Sequence, residues 1–358
     1  MTLTRYALIL LAVLLLPACN KTPLYQEQGY VFGTLVEMSV YGEDEKKSKQ
    51  AVASVMQEFQ RLHTMLHAWK PSALSELNSA FATGKTIEIT PELDAILRDA
   101  TALAAQSGAL FNPGIGGLVK LWGFQADEFK ASLPNEKQLA DLVAAQPQMS
   151  DINLSAATVG SGGKITASSR NRAVQLDLGG YAKGYALDRA AQMLKQMGVS
   201  NALVNIGGNV LALGSHGSRA WRVGIQHPRK PGPLATLDLH DGEAIGTSGD
   251  YQRYFELDGK RYCHLIDPRS GQPVQGVQAA TVLTRGARAG VLSDATSKPL
   301  FITGAGVSLD TKAWLAQAQN MQLSEVLLID AAGTAHLTSA MQKRLEFTDK
   351  NMVRKLAQ

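Results

Sequence analysis

The run Leu176-Asp177-Leu178-Gly179-Gly180-Tyr181-Ala182-Lys183-Gly184-Tyr185 restricts the fold more than any other part of the chain. The apolar alternation from Val174 to Leu178 predicts a strand, and the paired glycines predict a tight turn. Leu187, Ala190, Ala191 and Leu194 then line one face of a helix that ends before Gly198. The segment is thus expected to run strand, glycine turn, helix. Such a turn exposes backbone N–H groups and a positive dipole end, where an anion can sit. Lys183 in the first helical turn opposes the dipole, so it makes more sense facing an anionic ligand. A surface lysine after a tight turn is the plainer reading of this segment taken alone. Asp177, at the strand end, can accept from a ring N–H or a hydroxyl. The chain contains neither G-x-G-x-x-G nor G-x-x-x-x-G-K-[ST], so neither the Rossmann nor the P-loop mechanism applies.

The rest of the chain reads as α+β. Val36, Met38 and Val40 alternate with polar residues as in a half-buried strand, and Val52, Val55, Met56, Phe59, Leu62 and Leu66 recur at helical spacing. Thr90-Pro91 supplies the N-cap and first position of a helix through Leu93, Ile96, Leu97, Ala100 and Leu103. Strands are predicted at Ala202–Ile206, Trp221–Ile225, Ala279–Leu283 and Val326–Ile329, and a helix near Lys312–Ala318. Pro231-Gly232-Pro233 reads as a loop. With short connections and no internal repeat, the expectation is a single interlocked domain of mixed sheets and helices.

At the N-terminus Arg5 precedes an apolar run, Tyr6 to Leu16, that closes in Leu16-Pro17-Ala18-Cys19. The run is too short for a bilayer-spanning helix, which needs about 20 apolar residues, and reads as an export signal. A Cys directly after the small residue is where lipoprotein signals accept a diacylglycerol. The expected division is a signal peptide over 1–18, a lipidated Cys19, a polar tether over 19–28 and a folded domain over 29–358. An ordinary cleaved signal with a coincidental Cys is the alternative. Lipidation implies attachment to a bacterial membrane, facing the periplasm or the cell exterior; Asn20 is not the Asp that commonly marks inner-membrane retention. Of the two cysteines only Cys263 then remains inside the mature fold, which excludes an intrachain disulfide and a structural zinc site of several Cys. The net charge of +4 is scattered along the chain, without the cluster that nucleic-acid binding needs.

Other segments carry candidate chemistry. In Cys263-His264-Leu265-Ile266-Asp267-Pro268-Arg269-Ser270-Gly271, a His just before an Asp-Pro turn is either a positioned general base or a satisfied structural residue. Asp294, in Leu292-Ser293-Asp294-Ala295, could bind a hard metal through oxygen or cap a helix. Further blocks are Phe32-Gly33-Thr34, then Trp69-Lys70-Pro71 with Ser72 to Asn78, then Gly108-Ala109-Leu110-Phe111-Asn112-Pro113. These are followed by Gly117 to Phe124, Gly246-Thr247-Ser248-Gly249-Asp250-Tyr251, and Phe301-Ile302-Thr303-Gly304. In this order, over nearly the whole mature chain, they resemble the FAD:protein FMN transferases, the ApbE family.

The resemblance implies a flavin transferase fold (T-fold-like) and transfer of FMN from FAD to a Thr or Ser hydroxyl of an acceptor protein, with release of AMP. It implies FAD contacts at Phe32, Trp69, Phe111, Asn112, Pro113, Asp177, Lys183 and Leu265. It implies a magnesium ion held by the Gly180 carbonyl, by Asp294 and by the residue four positions on. That position is a Thr in the family and Lys298 here, the main departure of this chain from the pattern. His264, supported by Asp267 or by backbone, is the candidate base. Flavin-carrying subunits of respiratory or electron-transfer systems are the implied acceptors. The competing expectations are an FAD pyrophosphatase, a non-catalytic flavin-binding lipoprotein, and a purely structural lipoprotein.

Overall fold

The computed structural model describes residues 22–126, 128–155 and 163–357. The expected signal peptide and Cys19 lie outside the described residues. Nine strands join in one sheet whose spatial order follows the chain. They are β1 (Leu24–Val31), β2 (Thr34–Tyr41), β3 (Ala202–Ile206), β4 (Asn209–Leu213), β5 (Glu243–Gly249), β6 (Val277–Arg285), β7 (Glu325–Asp330), β8 (Ala335–Leu337) and β9 (Arg354–Leu356). Neighbours are antiparallel except β8 and β9.

The first strand corrects the expected tether over 19–28, because β1 begins inside it. Leu24 to Val31 pair residue for residue with Tyr41 to Thr34. Polar residues on a half-exposed edge strand gave little burial signal; the backbone ladder with β2 holds the segment. The two strands turn through Phe32 and Gly33, both at positive φ (56° and 69°). A two-residue hairpin loop favours this geometry, but a bulky aromatic there is strained.

The chain between β2 and β3 carries α1 (Glu45–Met65), α2 (Ala73–Thr83), α3 (Pro91–Gln106) and α4 (Ala182–Gln196), and α5 (Ala289–Thr303) follows β6. Asp44 caps α1 through the Lys47 N–H, and Thr90 caps α3 through the Leu93 N–H with Pro91 behind it, as its sequence predicts. The apolar stripes of α1 (Val52, Val55, Phe59, Leu62) and α4 (Leu187, Ala190, Leu194) pack against Val36, Met38 and Val40 of β2. Strand β6 is buried along all but its last residue. On one side Ala280 and Val282 meet Leu300 and Phe301 of α5. On the other, Ala279 and Leu283 meet a small sheet carrying Trp221, Leu237 and Leu239. Pro233, expected in a loop, opens a strand of that sheet, a position where its missing N–H is tolerated.

Val174–Leu178 is extended but is not part of a sheet ladder; Gln175 forms only an isolated bridge with Ile115. A side chain takes the place of a partner strand. The Asn78 amide accepts from Leu176 N at 2.7 Å and donates to Leu176 O at 2.9 Å. Asp177 N and Gln175 N donate to the carbonyls of Pro113 and Gly114. Asn78 thereby fixes the glycine turn from α2, whose N-terminus Ser72 and Ser75 cap reciprocally.

Helices α4 and α5 cross at a pair of glycines. A Cβ on Gly184 would lie 2.3 Å from the Gly290 carbonyl oxygen, and one on Gly290 2.4 Å from that of Gly184. Each helix also offers the other a carboxylate. Asp294 of α5 accepts from Gly184 N at 3.0 Å, and Asp188 of α4 accepts from Gly290 N and Val291 N at 2.7 and 2.9 Å. Unsatisfied N–H groups at both helix starts are met in this way. The cap reading of Asp294 therefore holds for the neighbouring helix rather than its own.

Candidate functional site

The sheet edge, the glycine turn and α5 enclose a cavity of about 350 Å³, the size of a small-molecule site. The hairpin tip brings Phe32 into its wall, the segment after α1 brings Trp69, and the turn after α3 brings Phe111, Asn112 and Pro113. The glycine turn supplies Asp177, Gly180 and Lys183; the loop before Ile266 supplies His264 and Leu265; α5 supplies Asp294 and Lys298. Every flavin, base and metal position expected from the sequence thus lines one cavity.

Their environments differ. The Asn112 amide is engaged with backbone, donating to Pro147 O and accepting from Gly114 N, so it shapes the turn that carries Phe111. Asp177 accepts from Gly179 N at 2.8 Å. Burial raises its pKa, opposed by that N–H, by Arg253 and Lys183, and by the Trp69 side chain. Lys183 donates to Gly179 O at 3.0 Å and lies 3.7 Å from Asp294 Oδ1, so its ammonium stays at the turn.

His264 Nδ1 is 3.2 Å from the Arg253 carbonyl oxygen. A proton on Nδ1 donated to that oxygen leaves Nε2 as the basic nitrogen. Burial, and then the positive charge of Arg253, push the His264 pKa down to about 3, so the imidazole is neutral at ordinary pH. Backbone, and not Asp267, orients the ring: the Asp267 carboxylate pairs with Arg269 at 2.7 Å.

The expected metal position holds an ion pair. Lys298 Nζ lies 2.5 Å from Asp294 Oδ1 and 2.6 Å from the Asp294 carbonyl oxygen. Its stem covers Gly180, with Cε 2.8 Å from where a side chain at Gly180 would begin. Burial would raise the Asp294 pKa, but Lys183 and Lys298 overcome it and hold the carboxyl at about 2. Burial lowers the pKa of Lys298, and Asp294 opposes the shift. One Asp294 oxygen is thus bound to an ammonium and the other to Gly184 N. Among the described residues no group of three or more His, Cys, Asp or Glu could hold a metal ion. In this arrangement the residues do not fit a magnesium ion.

Sequence reasoning missed several lining residues: His63, His67, Asn209, Gln252 and Arg253. The His63 and His67 rings meet at 5.2 Å, and Phe32 lies edge-on to His63 at 5.6 Å. Only His63 lies on α1; His67 follows the helix end at Leu66, so no helical periodicity pairs the two rings. Arg253 is anchored by the Phe124 carbonyl oxygen at 2.8 Å. It lies just beyond the Thr-Ser-Gly-Asp-Tyr block, where only its closeness to that block marks it.

Comparisons with known proteins identify the family and the fold. The model of the ApbE family matches residues 32–323. An FAD:protein FMN transferase of Rhodobacter capsulatus is 40% identical over 324 residues, which are 90% of this chain and 59% of that protein. The chain therefore spans under two thirds of that relative's length. An FAD:protein FMN transferase of Treponema pallidum (strain Nichols) is 34% identical over 268 residues, covering 70% of this chain and 71% of that protein. The crystal structure of the ApbE protein from Thermotoga maritima superposes with a TM-score of 0.79 at 25% identity, covering 90% of this chain and 99% of that one.

Proposed function

The chain belongs to the ApbE family, and on that footing we propose that it is an FAD:protein FMN transferase, moving FMN from FAD to a Thr or Ser hydroxyl of an acceptor protein. The observation that carries the reading is the single cavity in which aromatic walls, the Gly179-Gly180 turn with Lys183, and His264 converge. Phe32, Trp69 and Phe111 suit a flavin or adenine ring, with Asp177 able to accept from a ring N–H or hydroxyl. Lys183 and the exposed turn suit the pyrophosphate. Pro113 and Leu265 complete the walls beside them.

In the transfer step the acceptor hydroxyl oxygen attacks the phosphorus of the FMN half. An oxygen–phosphorus bond forms, the bond from that phosphorus to the bridging oxygen breaks, and AMP leaves with the bonding pair. The hydroxyl proton passes to His264 Nε2, since a base must take it as attack proceeds. The product is FMN joined to the acceptor by a phosphodiester. The magnesium ion implied by the resemblance has no step here, because its carboxylate is paired with Lys298.

The same reading anchors the protein to a bacterial membrane through a lipidated Cys19, facing the periplasm or cell exterior. Its acceptors are flavin-carrying subunits of respiratory or electron-transfer systems. The test is incubation of the protein with FAD and a Thr-containing acceptor domain, followed by acceptor mass and nucleotide analysis. Acceptor mass rising by one FMN with equimolar AMP is the expected result. Free FMN with unmodified acceptor makes the protein a pyrophosphatase, and intact bound FAD makes it a binder.

A further inference from the structure

We propose that the Lys298 ammonium is the resident cation of this site, facing the pyrophosphate of a bound dinucleotide in place of a divalent metal. The inference rests on the FAD reading above for the identity of the ligand, but on geometry alone for the cation. Lys298 Nζ makes two close contacts, both to Asp294, at 2.5 Å to Oδ1 and 2.6 Å to the carbonyl oxygen. An ammonium has three donors, so one remains for a ligand in the cavity that Lys298 lines. The pairing is built in: the i, i+4 spacing puts both groups on one face of α5, and the lysine side chain is only 17% exposed.

The surrounding charges point the same way. Lys183 lies 3.7 Å from the same Asp294 oxygen, so two ammonium groups share one carboxylate. The remaining charged groups lining the cavity are Arg253 and Asp177. With both carboxylates ionised, three cations and two anions leave the site net positive before any ion enters, as a pyrophosphate requires. A divalent ion seeking Asp294 and the Gly180 carbonyl would meet the Lys298 stem over Gly180 and the ammonium on the carboxylate. Repulsion at such separations lowers metal affinity by about tenfold or more.

The experiment uses the full protein, Lys298→Thr and Lys298→Met. Mn²⁺ binding is read by electron paramagnetic resonance, and FAD binding by flavin fluorescence with chelator or with Mg²⁺. The natural protein is expected to bind FAD within about twofold equally in both conditions and to take up Mn²⁺ about tenfold more weakly than Lys298→Thr. Lys298→Met, which keeps the bulk without the charge, should lose about tenfold or more in FAD affinity in chelator while its circular dichroism is unchanged. One Mn²⁺ per chain, bound as tightly by the natural protein as by Lys298→Thr, overturns the proposal. So does unchanged FAD affinity of Lys298→Met in chelator. If no variant binds FAD under any condition, the transferase reading fails, and the Mn²⁺ comparison still decides the cation.

Discussion

Gly184→Ala tests whether the crossing of α4 and α5 sets the site. Two effects oppose each other. In a helix interior Ala is favoured over Gly by about 1 kcal/mol, so propensity alone predicts a more stable protein. The added Cβ, however, would lie 2.3 Å from the Gly290 oxygen and 2.8 Å from Asp294 Cβ, where ordinary contact begins at 3.4 Å. The helices must separate by about 1 Å. Overpacking of this kind costs about 1–3 kcal/mol. The 3.0 Å bond from Gly184 N to Asp294 lengthens as well, and a lost cap costs about 1 kcal/mol more. The clash wins, and the net expectation is a loss of about 1–3 kcal/mol. Urea unfolding followed by tryptophan fluorescence measures it, and FAD titration should show weaker binding as Asp294 and Lys298 shift from the turn. Gly290→Ala presses on the same crossing, so the double variant should lose less than the sum of the singles. A more stable Gly184→Ala with parental FAD affinity would refute the reasoning.

His264→Ala should abolish transfer, by about 10²–10⁴ in rate, while leaving FAD affinity nearly intact; normal acceptor mass in the variant removes His264 from the mechanism. The folded pKa of about 3 lies below the ordinary 6.5, so the unfolded chain binds the extra proton between them and stability falls as pH drops through that window. Urea midpoints between pH 7 and 4 should therefore decline less steeply in His264→Gln, and parallel declines would contradict the buried neutral ring. Lys183→Ala should weaken FAD far more than riboflavin, with a difference that shrinks as salt rises; equal losses for the two ligands would show that Lys183 does not read phosphate. Cys19→Ser should release the protein from the membrane or block its processing, and a variant still processed at the same bond and membrane-bound would rule out lipid attachment.

The sequence announced those parts whose residues bury themselves. Val36, Met38 and Val40, and the stripe from Val52 to Leu62, were readable because one face is apolar and the structure buries it. Strand β1 was not, because pairing and not burial holds a polar edge strand. Val174–Leu178 carried a strand's alternation, yet it joins no ladder and its backbone is held by the Asn78 side chain, almost a hundred residues upstream, a long-range fact that no local pattern encodes. At the site, the residues in motif blocks converge on one cavity. Arg253 and the His63–His67 pair lay outside those blocks. The pairing of Lys298 with Asp294 follows from their i, i+4 spacing once both lie on α5.

The mutual capping of α4 and α5 has a consequence for how the site comes into being. Asp188 and Asp294 join segments more than a hundred residues apart in the chain, and contacts of such separation form late because the intervening loop must first be closed. A nascent chain that has completed α4 still lacks the carboxylate for Gly184 and has no Lys298. The first half of the pocket therefore exists as an unlatched turn until α5 docks, and docking delivers cap, carboxylate and cation together. A chain ended before Ala289 would retain Lys183 and Asp177 but no working anion seat.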